Sequence, residues 1–244
     1  MSVIAHGVRT LGVLGAGQMG LGIAYVAALR ARVPVLLHDR SPVQIQKGLA
    51  LMDKLLEKDT AKVCLAQHVS RASSIYLDKL QGKITSEEAK EARARVTVVS
   101  PEQGLSGLRD VDMVIEAVSE NLELKKAIFR NLSAELNPSA ILATNTSSIS
   151  ITKIASSTIP DGQTAASEAG RRSASRVVGL HFFNPVPVMG LVLNGSADAM
   201  SVSILSVIKI FMPNIALQLH AAKPIGSSSC ALNAHSAKAF RACH

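Results

Sequence analysis

Between a short apolar run, Arg9 to Leu14, and a stretch rich in Ala, Leu, Ile and Met, Gln18 to Arg30, stands Gly15-Ala16-Gly17-Gln18-Met19-Gly20. A G-x-G-x-x-G spacing between an expected strand and an expected helix leaves the chain few folds. The first glycine permits the tight turn, the second lets an anion approach the backbone, and the third lets helix and strand lie close. A helix that starts at Gln18 offers free N–H groups and the positive end of its dipole to phosphates. Glycine-rich turns are common, so context has to add weight against a purely structural turn. Asp39 ends the next apolar run, Val33 to Asp39, 19 positions after Gly20. An acid there meets the adenosine ribose diol of a dinucleotide. It also repels a 2′-phosphate, which favours NAD over NADP; Arg40 weakens that preference.

The order of elements extends the argument. Val33 to Asp39 is almost continuously apolar, as in a parallel strand buried on both faces. Ser41-Pro42 opens a helix, with Ser as cap and Pro at the first helical position. Residues 60 to 95 read as a charged helical excursion, two helices broken near Gly82. The stretch Thr85-Ser86-Glu87-Glu88 is a capping signal for the second. Further strands are expected at Val96 to Val99, Met113 to Val118, Ala140 to Thr144 and Val177 to Phe182. The clearest helix between them is Leu122 to Leu136, and the polar Ser156 to Ser175 segment is expected to be a surface loop. This alternation predicts an α/β fold, a doubly wound, Rossmann-type, mainly parallel sheet over residues 8 to 189.

Composition removes other classes. Twenty-six Lys and Arg against 18 Asp and Glu give a net charge of +8. The basic residues are dispersed, the densest runs being Lys125-Lys126 and Arg171-Arg172, whereas a DNA-binding stripe needs clustering. With no Trp, two Tyr and five Phe, a stacking platform for single-stranded nucleic acid is not encoded. The expected anionic partner is a coenzyme and not a nucleic acid. Cys64, Cys230 and Cys243 form no C-x-x-C, so neither a metal site nor a disulfide framework is expected, and a reducing compartment fits. Met200 to Leu219 is the most apolar window, but Lys209, Pro213, Asn214 and Gln218 interrupt it; no membrane span is expected. The first strand begins by about Arg9, leaving no room for a signal or transit peptide. The final Ala-Cys-His is not a peroxisomal address, and a cytoplasmic location is the expectation.

Three more strings carry a resemblance: Val114-Ile115-Glu116-Ala117-Val118-Ser119-Glu120-Asn121, Asn145-Thr146-Ser147-Ser148, and Gly179-Leu180-His181-Phe182-Phe183-Asn184-Pro185-Val186-Pro187-Val188-Met189. With the glycine turn they resemble the NAD-binding domain of 3-hydroxyacyl-CoA dehydrogenases, in the short-chain 3-hydroxybutyryl-CoA group, over roughly Val8 to Met189. The resemblance implies NAD as cofactor, held by Gly15, Gly17, Gln18, Met19, Gly20, Asp39 and Asn145. Ala117, Glu120 and Lys125 would line its nicotinamide-ribose side. The implied substrate is a (3S)-3-hydroxyacyl-CoA, oxidised to the 3-oxoacyl-CoA in fatty-acid metabolism. Ser147 and Asn184 would stand beside it, and His181 would be the general base. Oxidation of a 3-hydroxyl needs a group to take the hydroxyl proton as hydride leaves C3, and an imidazole titrating near neutrality suits that task. Plainer readings stand beside these. His181 is otherwise a packed, hydrogen-bonded histidine, Ser147-Ser148 cap a helix beginning near Ile149, and Lys125 is a solvated helix charge.

After Met189 the chain departs from that pattern. Where the family continues Lys-Leu-Val-Glu, this chain reads Gly190-Leu191-Val192-Leu193. The Glu that would hold the catalytic His is replaced by Leu193, twelve positions after His181, with no nearby acid in sequence. Loss of such a partner costs on the order of 10⁴ in turnover in serine proteases. Residues 190 to 244 hold four basic residues and one acid, Asp198, and 18 of the 55 are Ser or Ala. Nothing in them resembles the all-helical C-terminal domain with which the family dimerises and completes its acyl-CoA cleft. The expectation is an NAD-binding domain, 8 to 189, followed by an atypical tail, 190 to 244, in a truncated or frame-shifted product. Two classes of function follow: a 3-hydroxyacyl-CoA oxidoreductase impaired in this chain, or a catalytically inactive NAD-binding module.

Overall fold

The computed structural model describes residues 7–67, 84–188, 192–196 and 218–221, with residues 61–67 and the last two segments as backbone only. Strands β1 (Leu11–Leu14), β2 (Val35–His38), β3 (Val96–Val98), β4 (Met113–Glu116), β5 (Ile141–Thr144) and β6 (Val177–Phe182) form a sheet in the order β3-β2-β1-β4-β5-β6. All six run parallel, with Leu14 in register with both His38 and Glu116. That is the doubly wound α/β architecture expected, and it places the reversal of strand order between β1 and β4. Ligands of such sheets bind at that crevice, beyond the carboxyl ends of the strands.

Parity along the strands divides the core in two. Leu11, Val13, Leu37, Met113, Ile115, Leu180 and Phe182 lie in one cluster with residues of α1 (Gln18–Val26), α2 (Pro42–Gln67) and α3 (Ser86–Ala94). Leu14, Val114, Leu142 and Val177 lie in the other, with Phe129 and Leu132 of α4 (Leu122–Glu135) and Ile154 of α5 (Ile151–Ser156). Alternate residues of a strand face opposite sides, so His38, Glu116, Thr144 and His181 fall on the α4–α5 side.

Several boundaries differ from expectation for identifiable reasons. The helix expected to reach Arg30 is α-helical to Val26 and closes with a π-helical turn, Ala27–Ala31, ended by Arg32 at φ 54°. α2 runs without a break from Pro42 to Gln67, so no separate excursion starts at residue 60; Gly82 lies outside the described residues. The Thr85–Glu88 capping box is formed in both directions. The segment expected to be a loop contains a helix, α6 (Glu168–Ser175), with the Gly170 N–H donating to the Ser167 hydroxyl. α6 buries only Gly170 and Ala174 and docks through Ser173, whose hydroxyl donates to the Thr158 carbonyl and meets that of Ser133. A helix held by small polar residues leaves no apolar periodicity to read. Beyond Met189, β7 (Val192–Ser196) pairs antiparallel with β6, and β8 (Gln218–Ala221) pairs parallel with β7. The sheet therefore continues into the tail. Among the described residues, no helix is long and apolar enough to cross a membrane.

Candidate functional site

The glycine turn is fixed by crowding. Gly15 has φ 103°, and a Cβ there would lie 2.7 Å from the Ala117 carbonyl oxygen. A Cβ at Gly20 would overlap the Gly15 carbonyl oxygen. Only glycine fits either place. Gly17 is different, since its Cβ side is open except for Gln44 Nε2 at 4.0 Å. Gly17 caps α1 without a side-chain hydrogen bond, and the first turn carries no acid. The arrangement is a cradle of backbone donors with room on one side, which fits a pyrophosphate.

Asp39, at the end of β2, joins this turn to α2. Its Oδ2 accepts from the Ala16 N–H and its Oδ1 from the Ser41 N–H, each at 2.8 Å. The Gly15 N–H donates to the His38 carbonyl at 2.8 Å. The carboxylate keeps lone pairs for a ribose diol while bracing the loop that would present it.

Across the crevice a charged network joins β4, β5 and α4. Glu116 is fully buried; its Oε1 takes the Lys125 ammonium and the Val118 N–H, both at 2.7 Å, and its Oε2 takes the Thr144 hydroxyl at 2.7 Å. Lys125 is equally buried, with its second carboxylate, Glu120, at 3.4 Å. It is thus not a solvated helix charge, and any influence on a cofactor passes through these acids. Glu120 Oε1 accepts from the Thr146 hydroxyl, from the Ser147 and Ser148 N–H groups at 3.1 and 3.3 Å, and from the Ser148 hydroxyl at 3.2 Å. Burial alone would raise the Glu120 pKa; Thr146, the Lys125 charge and the two N–H groups outweigh it, holding the carboxyl below its ordinary value. Ser147 and Ser148 do not cap a helix. The Ile149 N–H goes to Thr146 Oγ, and the helix begins at Ile151 behind Ser150.

The neighbouring Asn145 ties this network to β6, taking the Phe182 N–H at 2.8 Å on its side chain while its own N–H donates to the Glu116 carbonyl. His181 stands one residue before that tie. Its ring lies edge-on to Phe183, with centroids 4.8 Å apart. Its Nδ1 is buried without a hydrogen-bond partner among the described residues. Burial lowers its pKa below 6.5, and the Glu120 charge works the other way. The backbone register of β6 and β7 pairs His181 with Leu193. Asn184, at a cis bond to Pro185, and Ser147 are exposed at the same end. Ala117 lies half-buried beneath the glycine turn, while Gln18 and Met19 form the first turn of α1. Glu116, Thr144 and Thr146 had no role assigned from sequence. A fully ionisable residue ending the apolar run Met113 to Glu116 was the available signal.

Residues 10–199 match the family model described as 3-hydroxyacyl-CoA dehydrogenase, NAD binding domain. The chain is 38% identical over 185 residues to a 3-hydroxybutyryl-CoA dehydrogenase of Bradyrhizobium diazoefficiens, covering 76% of this chain and 51% of that one. It is 38% identical over 197 residues to the 3-hydroxyadipyl-CoA dehydrogenase of Escherichia coli K12, covering 80% and 34%. Among solved structures it is similar to the (S)-3-hydroxybutyryl-CoA dehydrogenase PaaH1 of Ralstonia eutropha, at 30% identity and TM-score 0.69, covering 89% and 65%. The fold and the glycine turn define a nucleotide-binding α/β protein with NAD as its cofactor. The chain belongs to the 3-hydroxyacyl-CoA dehydrogenase family through its NAD-binding domain. It spans about half the length of the first of these relatives.

Proposed function

We propose that this chain is an oxidoreductase of the 3-hydroxyacyl-CoA type, oxidising a (3S)-3-hydroxyacyl-CoA to the 3-oxoacyl-CoA, and that its turnover is slow. NAD, when bound, supplies the acceptor for the hydride from C3. The glycine turn and the first turn of α1 hold its phosphates, and Asp39 takes the ribose diol. His181 takes the hydroxyl proton; Ser147 and Asn184 orient the substrate oxygens.

The observation that carries this reading is the state of His181. Its lowered pKa leaves the imidazole neutral at pH 7, as a general base must be. Its buried Nδ1 has no partner among the described residues, however. Once the ring takes a proton, that nitrogen has no acceptor among the described residues, and among them the Glu120 charge is what stabilises the imidazolium. The same observation favours a second reading, an NAD-binding module without turnover. An assay of NADH formation from (S)-3-hydroxybutyryl-CoA separates them. The first reading expects measurable turnover well under the enzyme median of about 10 s⁻¹, abolished in His181→Gln. Turnover near that median contradicts the impairment, and none at saturating substrate and NAD selects the second reading.

A further inference from the structure

We propose that Gln44, in the first turn of α2, is a phosphate ligand of the bound dinucleotide, a role that rests on the cofactor reading above. Gln44 Nε2 is the atom that borders the open side of Gly17, the one glycine of the turn whose missing side chain leaves room and not a backbone crossing. An anion seated there on the α1 donors has a carboxamide N–H₂ beside it. Among the described residues the Gln44 side chain makes no hydrogen bond, so its donors are uncommitted.

The residue is also held in place before any ligand arrives. Its own N–H donates to Ser41 Oγ at 3.2 Å, and Ser41 is bonded to the glycine turn through Asp39. One turn further along, Gly48 lies so close to Ala16 that a Cβ would come within 2.9 Å of its carbonyl oxygen. α2 therefore cannot lift from the turn without breaking these contacts. The first turns of α1 and α2 both lack acids; the carboxylate at this place, Asp39, is engaged by the Ala16 and Ser41 N–H groups. These contacts fix the backbone that carries Gln44, so the half-buried side chain starts from a set place beside the turn.

Isothermal calorimetry on the full chain with NAD⁺, ADP and adenosine tests the assignment. Gln44→Ala should weaken NAD⁺ and ADP on the order of tenfold, as loss of a hydrogen bond to a charged group does, and leave adenosine unchanged. Gln44→Glu should weaken both phosphate-bearing ligands further, with a loss that shrinks as salt is raised. If the unaltered chain binds NAD⁺ and Gln44→Ala binds NAD⁺ and ADP equally well, this inference fails while the cofactor reading stands. Equal losses for adenosine and ADP overturn it too, because Gln44 would then serve the nucleoside or the docking of α2. An unaltered chain that binds none of the three overturns the cofactor reading itself.

Discussion

His181 and Asp39 are the residues at which the proposed chemistry depends most on local structure. Burial favours the neutral ring of His181, and the Glu120 charge resists that shift without cancelling it. Glu120→Gln should therefore lower the His181 pKa further, seen directly by NMR titration of the ring; an unchanged or raised value would show that Glu120 does not act on it. The buried His38 also has a lowered pKa, chiefly through burial, opposed by a hydrogen bond to the Val99 backbone and by Asp39. Histidines neutral in the fold bind protons more readily when unfolded, so their contribution to stability is present above about pH 6.5. It is lost as pH falls through that value towards their folded pKa, and urea midpoints should fall with it. Asp39→Ala removes the proposed ribose acceptor and both braces, Ala16 and Ser41. NAD affinity should drop, relative affinity for NADP should rise, and stability should fall by about 1–3 kcal/mol. Calorimetry and melting decide, and unchanged NAD affinity removes Asp39 from the site. From sequence, the glycines and Asp39 stand out by their local spacing, and the His181 string by its resemblance to the family. The His181 Nδ1 without a partner among the described residues does not, since that depends on how the ring packs in three dimensions.

Between elements, the Glu116–Lys125 pair ties β4 to α4, and Thr144 extends the tie to β5. The pair is desolvated on both sides, at 0% and 1% side-chain exposure. Breaking such a pair by removing one partner leaves an uncompensated buried charge, at a cost of about 3–5 kcal/mol. Lys125→Met should destabilise by that amount in urea unfolding, and the double variant with Glu116→Gln should recover part of it. Additive losses would mean that the two groups do not stabilise each other. Nothing local predicts this pair: Glu116 reads as part of the strand expected over Met113 to Val118 and Lys125 as a residue of the helix that follows, nine positions on. α6 was equally illegible, because its buried face is Gly170 and Ala174 and its docking runs through hydroxyls. The strands were legible for the opposite reason. In a sheet covered on both faces most positions are apolar, so β1, β2, β4, β5 and β6 stand out as short runs even without alternation.

Taken as one body, the sheet brings three distant strings to a single end. The turn after β1, the acids after β4 and His181 on β6 all lie at the carboxyl ends of parallel strands, around the reversal between β1 and β4. Element order alone was enough to anticipate this, because a doubly wound sheet puts every strand-to-helix turn at the same end. The tail was not anticipated: its composition gives no strand signal, yet Val192–Ser196 pairs along β6 and sets Leu193 opposite His181. That pairing makes a single substitution the most direct test of the account. Leu193→Glu places a carboxylate on the cross-strand partner of His181. Turnover of (S)-3-hydroxybutyryl-CoA with NAD, measured as NADH formed, should rise by on the order of 10²-fold or more over the unaltered chain, towards the 10⁴ that an acid partner is worth elsewhere. Turnover unchanged by the substitution, in a chain that still binds NAD, would contradict the account.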